Sequence, residues 1–379
     1  MNGSTAVPAI PPSVPNMDDL EVILFGSGYG ECLLLHCGSN QWIIIDSCIS
    51  KDSKEPVALE YLASIGVDAA KGVVAVVVTH WHDDHIKGIS KIAEKCSAAT
   101  FFISAALMTA KNALKFQTMV LDSAVSRLAN LNADSNSGVK EFKELLEIIR
   151  SRPRQQLDFA LNDKLLVDKN DYSLWSLSPH NTIFEKAIEA IISQIPDVTG
   201  GVKRVRAPAP NYTSVVLWLK HKDTRLLLGA DLEEASDHKG WSLIVEGKKP
   251  TIIDKKAELF KVAHHGSDTG HHPSIYTDLL IENPICLVAP FNRKPKLPGS
   301  EDIKRILSST SHGYATASPL KATKPKKSTD RAIRTKLAER NAVMAYSSYS
   351  YVKARATASG WQIETFGDAC HLTSLVDAA

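Results

Sequence analysis

Apolar positions along the chain fall into short dense runs separated by polar turns. The first run, Glu21–Phe25, leads into Gly26-Ser-Gly-Tyr-Gly-Glu31, after which Cys32–His36 and Trp42–Asp46 predict two strands joined by a turn at Gly38-Ser-Asn40. Val57, Ala58, Tyr61, Leu62 and Ile65 recur at helical spacing, with Gly66 as the stop. Val73–Val78 is a continuous β-branched run and predicts a strand buried on both faces. Residues 105–150 predict helices, interrupted by a loop at 132–138. Strands are expected at 164–168 and 172–177, then a helix near 181–194 and a polar loop over 196–210. Further strands are expected at Ser214–Leu219, Arg225–Leu228, Leu259–Ala263 and Ile285–Ala289, followed by a helix near 300–309. A basic linker with Lys321, Lys324, Lys326 and Lys327, a helix near 328–340, and a hairpin of Tyr351–Thr357 with Trp361–Phe366 close the chain.

This order predicts a proline-rich disordered tail over 1–19, a main domain over 20–310 with a helical insertion at about 105–150, and a segment 311–379 packed on the same domain. Strands with helices between them mean sheets covered by helices. Periodicity alone does not separate a doubly wound sheet from an αββα sandwich.

Composition narrows the class. The 379 residues are 44% hydrophobic and 23% charged, ordinary for a globular chain and enough for a sizeable core. A formal net charge of +2 sets up no global field toward nucleic acid or membrane. The 6 cysteines form no C-x-x-C pair, which predicts reduced thiols and a cytoplasmic setting. The longest apolar run is far short of the roughly 20 residues of a spanning helix, so no membrane segment is expected.

The densest chemistry is Thr79-His80-Trp81-His82-Asp83-Asp84-His85, directly after the buried strand. Imidazole is the commonest transition-metal ligand, and carboxylate adds hard oxygen. His80 and His82 are two apart and can point to one side; Asp84 and His85 can reach a neighbouring ion. Two later strand ends add donors. One is Arg225-Leu-Leu-Leu-Gly-Ala-Asp231, whose aspartate alone would pass for a turn residue or helix cap. The other is Leu259-Phe-Lys-Val-Ala-His264-His265-Gly266-Ser267. Ligands at the ends of three rigid strands suit a two-metal site.

His80-x-His82-x-Asp84-His85 resembles the H-x-H-x-D-H signature of the metallo-β-lactamase fold, and Ile43-Ile-Ile-Asp46 resembles that fold's I-D motif. The order of elements over roughly 20–310 is similar to the C-terminal hydrolase domain of bacterial DNA-uptake competence proteins. There the motifs D-V-G-Q-G-D, L-I-D-G-G, T-H-x-H-x-D-H, N-x-x-S-L, L-x-T-G-D and V-x-H-H-G-S follow one another. Here they read Gly26–Glu31, Ile45-Asp46-Ser47-Cys48, Thr79–His85, Asn211-Tyr-Thr-Ser214-Val215, Leu227-Leu-Gly-Ala-Asp231 and Val262–Ser267. Glu31 replaces the usual aspartate, Lys87 a frequent glycine, and Asp268 a common basic residue.

The resemblance implies an αββα sandwich with two divalent ions at one edge. His80 and His82 would bind the first ion, Asp84 and His85 the second, and Asp231 both. His264 or His265 would complete the second site. His180 falls in the interval where the fold often supplies a third histidine for the first ion; it reads equally as a residue of a helix-leading loop. Asn211 and Ser214 match a motif near the cleft and read as substrate contacts or as turn residues. Zn²⁺ is the default ion for such donors, with Mn²⁺ the competitor for phosphodiester work. Two ions about 3.5–4 Å apart can share a hydroxide, with Asp84 orienting it and His264 or His265 offsetting oxyanion charge.

Basic segments at Lys203-Arg-Val-Arg206, Arg293-Lys-Pro-Lys296 and Lys321–Lys327 favour an anionic phosphodiester substrate, nucleic acid or nucleotide. Trp81 and Tyr29 read as base-stacking rings or as core. The expectation is a metal-dependent phosphodiesterase or nuclease. Hydrolysis of a lactone, thioester or β-lactam is the alternative, and a non-enzymatic binding module the second.

Overall fold

The computed structural model describes residues 14–105, 137–152, 156–183, 210–234, 240–249, 251–318 and 349–376. Residues 106–136 of the expected helical stretch, most of the helix expected near 181–194 and of the loop 196–210, the helix near 328–340, most of the N-terminal tail and the basic segments 203–206 and 321–327 lie outside the described residues.

The first strands are β1 (Leu20–Phe25), β2 (Cys32–Cys37), β3 (Trp42–Ile45), β4 (Val73–Val78), β5 (Thr100–Ser104) and β6 (Leu157–Ala160). The next are β7 (Lys164–Asp168), β8 (Tyr172–Ser176), β9 (Leu217–His221), β10 (Thr224–Leu228), β11 (Ala257–Lys261), β12 (Leu280–Val288) and β13 (His312–Ala315). A C-terminal hairpin, β14 (Tyr351–Thr357) and β15 (Gly360–Phe366), precedes the short β16 (Cys370–His371). They form two 8-stranded sheets, ordered β15-β14-β1-β2-β3-β4-β5-β6 and β16-β13-β12-β11-β10-β9-β8-β7. In each, an antiparallel meander passes into parallel strands: β3 to β6 in the first, β10 to β13 in the second.

Alternation along each strand builds the layers. Leu20, Val22 and Leu24 of β1 face the space between the sheets, with Leu226 and Leu228 of β10 and Leu259 of β11. Ile23 and Phe25 point the other way, into a core with Tyr61, Ile92 and Leu145 from the helices Val57–Ser64, Ile89–Lys95 and Ser137–Arg150. Leu227 and Phe260 point outward from the second sheet onto Trp241 and Ile303 of the helices Trp241–Glu246 and Ser300–Leu307. The result is the αββα sandwich, and burial on both faces explains the unbroken apolar runs.

Several boundaries move. The strand expected from Ser214 begins at Leu217, because Pro210–Thr213 forms a 3₁₀ turn and Leu177 N–H bonds Val216 C=O outside the ladder. β5, β6, β13 and β16 carried no strand expectation: they are short, and β6 and β13 mix polar with apolar residues. The hairpin is a sheet component, since β14 pairs with β1 over Leu20↔Ala356 to Phe25↔Tyr351. All 6 cysteines are free thiols. Among the described residues no helix is long and apolar enough to cross a membrane.

Candidate metal centre

The C-terminal ends of β4, β10 and β11 meet at one edge of the sandwich. After Val78 the backbone leaves the sheet, and Asp46 at the end of β3 holds the turn. Thr79 N–H donates to Asp46 Oδ1 at 2.8 Å and Thr79 Oγ1 to Asp46 Oδ2 at 2.7 Å. The short helix Asp83–Ile86 then brings Asp84 and His85 back toward the strand end. It is pinned from outside by Glu31 N–H on Asp84 C=O and Ser47 N–H on His85 C=O, at 2.8 and 2.7 Å.

Three overlapping donor groups result, each with its donor atoms within 4.8 Å of one another: Asp84, His85, Asp231 and His265; His80, His82 and Asp231; and Asp46, His80 and His85. Asp231 belongs to the first two, so it stands between two candidate ion positions. The imidazoles are oriented from behind. His85 Nδ1 donates to Asp46 Oδ2 at 2.7 Å, and His265 Nδ1 donates to Ala289 C=O at 2.9 Å. Each therefore turns Nε2 inward, 3.2 and 3.3 Å from Asp231 Oδ2; His265 Nε2 is also 3.2 Å from Asp84 Oδ2. His80 Nδ1 lies 3.0 Å from Thr79 Oγ1, a hydroxyl already donating to Asp46, so His80 donates there and its Nε2 is left for a ligand.

This inner shell fits cations. His80 Nε2, His85 Nε2 and Asp231 Oδ1 are buried with no hydrogen-bond partner, an arrangement that costs free energy unless something else satisfies them. Burial, reinforced by His85, pushes the His80 imidazole well below its ordinary range. Against the cost of burial, Asp231, Glu31 and Asp46 hold His85 well above that range. Likewise Asp231, Asp84 and Glu31 lift His265 to about 10. The same pairs keep Asp231 and Asp84 below the carboxylate range despite burial. Without an ion, protons on His85 and His265 neutralise the carboxylates; a divalent ion would displace them.

Of the two adjacent histidines, only His265 enters the donor groups. His264 and His265 both have positive φ, 46° and 54°, and this kink sends their rings apart. His264 Nδ1 lies 2.7 Å from Thr269 Oγ1 and 3.1 Å from Glu233 Oε1. Its Nε2 accepts from Asn211 Nδ2 at 3.2 Å, and Asn211 also donates to Glu233 at 2.8 Å. Asn211 thus sits in a side network with His264. Ser214 supports the centre directly: its Oγ accepts the Asp231 N–H at 3.1 Å and lies 3.4 Å from His80 Nδ1. His180 is not brought to the donors. Its Nδ1 bonds Thr182 Oγ1 at 2.9 Å, and it lines a separate hollow with Asp163, Lys248 and Ile252. Trp81 packs against the helix-side core.

Sequence reasoning passed over Lys261. On the same face of β11 as Leu259, it enters the space between the sheets. Its Nζ contacts Glu31 Oε1 at 2.5 Å, Ala230 C=O at 2.9 Å and Asp231 Oδ1 at 3.8 Å. The available signal was a lysine inside the otherwise apolar run Leu259-Phe-Lys-Val-Ala263. Glu31 also approaches His85 Nδ1 at 3.8 Å and His265 Nδ1 at 3.6 Å, so the pair stands behind His85, His265 and Asp231 together.

The metallo-beta-lactamase superfamily model matches residues 26–275, more than half of the chain. The chain belongs to the metallo-beta-lactamase superfamily. Its members are metal-dependent hydrolases, and the donor cluster supplies the residues such chemistry requires. Similar solved structures include Zn²⁺-bound PqqB from Methylobacterium extorquens, 11% identical, covering 70% of this chain and 88% of that one at a TM-score of 0.37. The metallo-β-lactamase SMB-1 is 15% identical and covers 67% of this chain and 81% of that one at a TM-score of 0.35. The dizinc quorum-quenching lactonase AidC is 16% identical, covering 53% and 55% at 0.28. At these values the likenesses carry no argument about substrate. No curated protein matches the chain.

Proposed function

We propose that this superfamily member is a two-metal phosphodiesterase or nuclease. The observation that carries the reading is the basic loop after β12, set against the ligand group. Phe291 lies 5.3 Å, ring to ring, from His265, and Arg293, Lys294 and Lys296 follow it as exposed cations. Cations beside a metal centre favour an anionic substrate over a neutral lactam, lactone or thioester. The resemblance of the sequence motifs, in their order, to those of the hydrolase domain of DNA-uptake competence proteins favours the same reading.

His80, His82 and Asp231 would hold one divalent ion, and Asp84, His85, His265 and Asp231 the other, Zn²⁺ by donor type with Mn²⁺ as the competitor. When bound, the ions would supply Lewis acidity and lower the pKa of the attacking water. Asp84 orients that water through its carboxylate. Asp46, through His85, and Ala289 C=O, through His265, keep the ring nitrogens aimed inward throughout the reaction. His264, with its ring nitrogens engaged by Thr269, Glu233 and Asn211, has no N–H free for phosphoryl oxygen, which leaves His265 as the histidine of the pair at the centre.

The test is hydrolysis of bis-p-nitrophenyl phosphate and of single- and double-stranded DNA and RNA under Zn²⁺ and Mn²⁺ titration. Metal-dependent cleavage lost in His82→Ala and Asp231→Ala is the expected result. Bound metal with turnover only of lactones or thioesters would overturn it.

A further inference from the structure

Arg293 is an exposed cation whose flat face is already held. Its Cζ lies 3.5 Å from the centroid of the Tyr29 ring. No carboxylate among the described residues forms an ion pair with it. Tyr29 in turn lies 5.6 Å from the Phe291 ring, and Phe291 5.3 Å from His265. An aromatic path therefore runs from the guanidinium to a metal-ligand candidate.

The two loops that make this path are locked together. Asn292 N–H donates to Gly28 C=O at 2.6 Å. Gly28 has φ 87°, and a Cβ there would fall 2.1 Å from Asn292 Nδ2, so the loops approach as closely as only glycine permits. The rim carries more positive charge. Lys51 Nζ donates to Ser27 C=O at 3.0 Å, and Lys294 and Lys296 are exposed in the arginine's own loop.

A guanidinium stacked on a ring presents its N–H edge outward, in the fork geometry that fits a phosphate. Arg293 is not among the donor groups and is linked to them through two rings, Tyr29 and Phe291, so its edge can take an anion other than the phosphate reacting at the metals. A small diester has only one phosphate; a nucleic acid strand has many. We propose that Arg293, flattened on Tyr29, anchors a second, non-reacting phosphate of a single-stranded nucleic acid whose scissile phosphate lies at the Asp231 cluster. The proposal rests on the phosphodiester reading and names its substrate. A single strand fits better than a duplex because the rings of Tyr29 and Phe291 stand beside the cation, a pairing suited to unpaired bases and backbone together.

The test is binding of a fluorescent, cleavage-resistant phosphorothioate oligothymidylate to the metal-loaded full chain across a salt series. Bis-p-nitrophenyl phosphate hydrolysis is measured on the same preparations. Arg293→Gln is expected to weaken strand binding roughly tenfold at low salt and to reduce the slope of log K against log salt by about 0.7, the value for one phosphate contact on a single strand. Arg293→Lys keeps the charge and therefore the slope, but loses the stacked fork and part of the affinity. Tyr29→Leu likewise weakens binding while the slope stays. An Arg293→Gln variant with unchanged affinity and slope would overturn the anchor, and tighter binding of duplex than of single strand would overturn the choice of substrate. Diester hydrolysis with no Arg293 effect sinks the anchor and leaves the phosphodiesterase. Arg293-dependent strand binding without hydrolysis under any metal sinks the phosphodiesterase and leaves the anchor.

Discussion

Lys261 Nζ lies 2.5 Å from Glu31 Oε1, a buried ion pair that ties the second sheet to the loop after β1 of the first. Each residue also reaches the metal-ligand candidates, Lys261 toward Asp231 and Glu31 toward His85 and His265. Removing one partner strands a charge in the interior, which costs about 3–5 kcal/mol. Lys261→Met should therefore lower the urea midpoint strongly and weaken metal binding. Adding Glu31→Gln should restore a large part of the stability. A double variant as unstable as the single would show that the pair is not a charge-compensating unit.

Asp231 stands in two donor groups, whereas His82 and His265 each stand in one. Metal content by mass spectrometry should therefore fall by both ions in Asp231→Ala and by one in His82→Ala or His265→Ala. His180→Ala should keep both, because that imidazole is engaged with Thr182 beside another hollow. His264→Ala should also keep both, with activity lowered through loss of the Asn211–Glu233 network.

Asp46 sets the His85 tautomer from behind, through its 2.7 Å contact with Nδ1. Asp46→Asn presents an amide that can donate to that nitrogen and so reverses the preferred tautomer. Metal affinity, measured by competition with a chromophoric chelator, should fall about 10–100-fold. Unchanged affinity would remove Asp46 from the centre's support.

Stability should depend on pH through His36, away from the centre. Burial lowers this imidazole to about 4, although its Nδ1 donates to Asp19 C=O at 2.9 Å. The unfolded chain takes up the proton near pH 6.5 and the folded chain does not. The His36 contribution is therefore complete above pH 6.5 and is lost as pH falls toward 4, by about 2 kcal/mol between pH 7 and 5. Urea unfolding at those two pH values, on the parent and on His36→Phe, should show a smaller difference in the variant.

The pattern along the chain determined the buried strands and much of the donor set. Val73–Val78 announces a two-faced strand because six consecutive apolar residues have no other use at that length. His80, His82, Asp84 and His85 are legible together because one strand end and one helical turn hold them within six positions. Asp231 and the pair 264–265 are legible as donors at the ends of apolar runs. Pairing decided the rest. β6 and β13 are strands because neighbours supply their hydrogen bonds, which their short mixed sequences do not advertise. His265 faces the centre and His264 faces Asn211 because the backbone kinks between β11 and the turn that follows, and adjacent side chains on a kink diverge. Lys261 and Glu31 are 230 residues apart in sequence, and only the packing of one sheet on the other turns two ordinary charged residues into a buried pair behind the ligands.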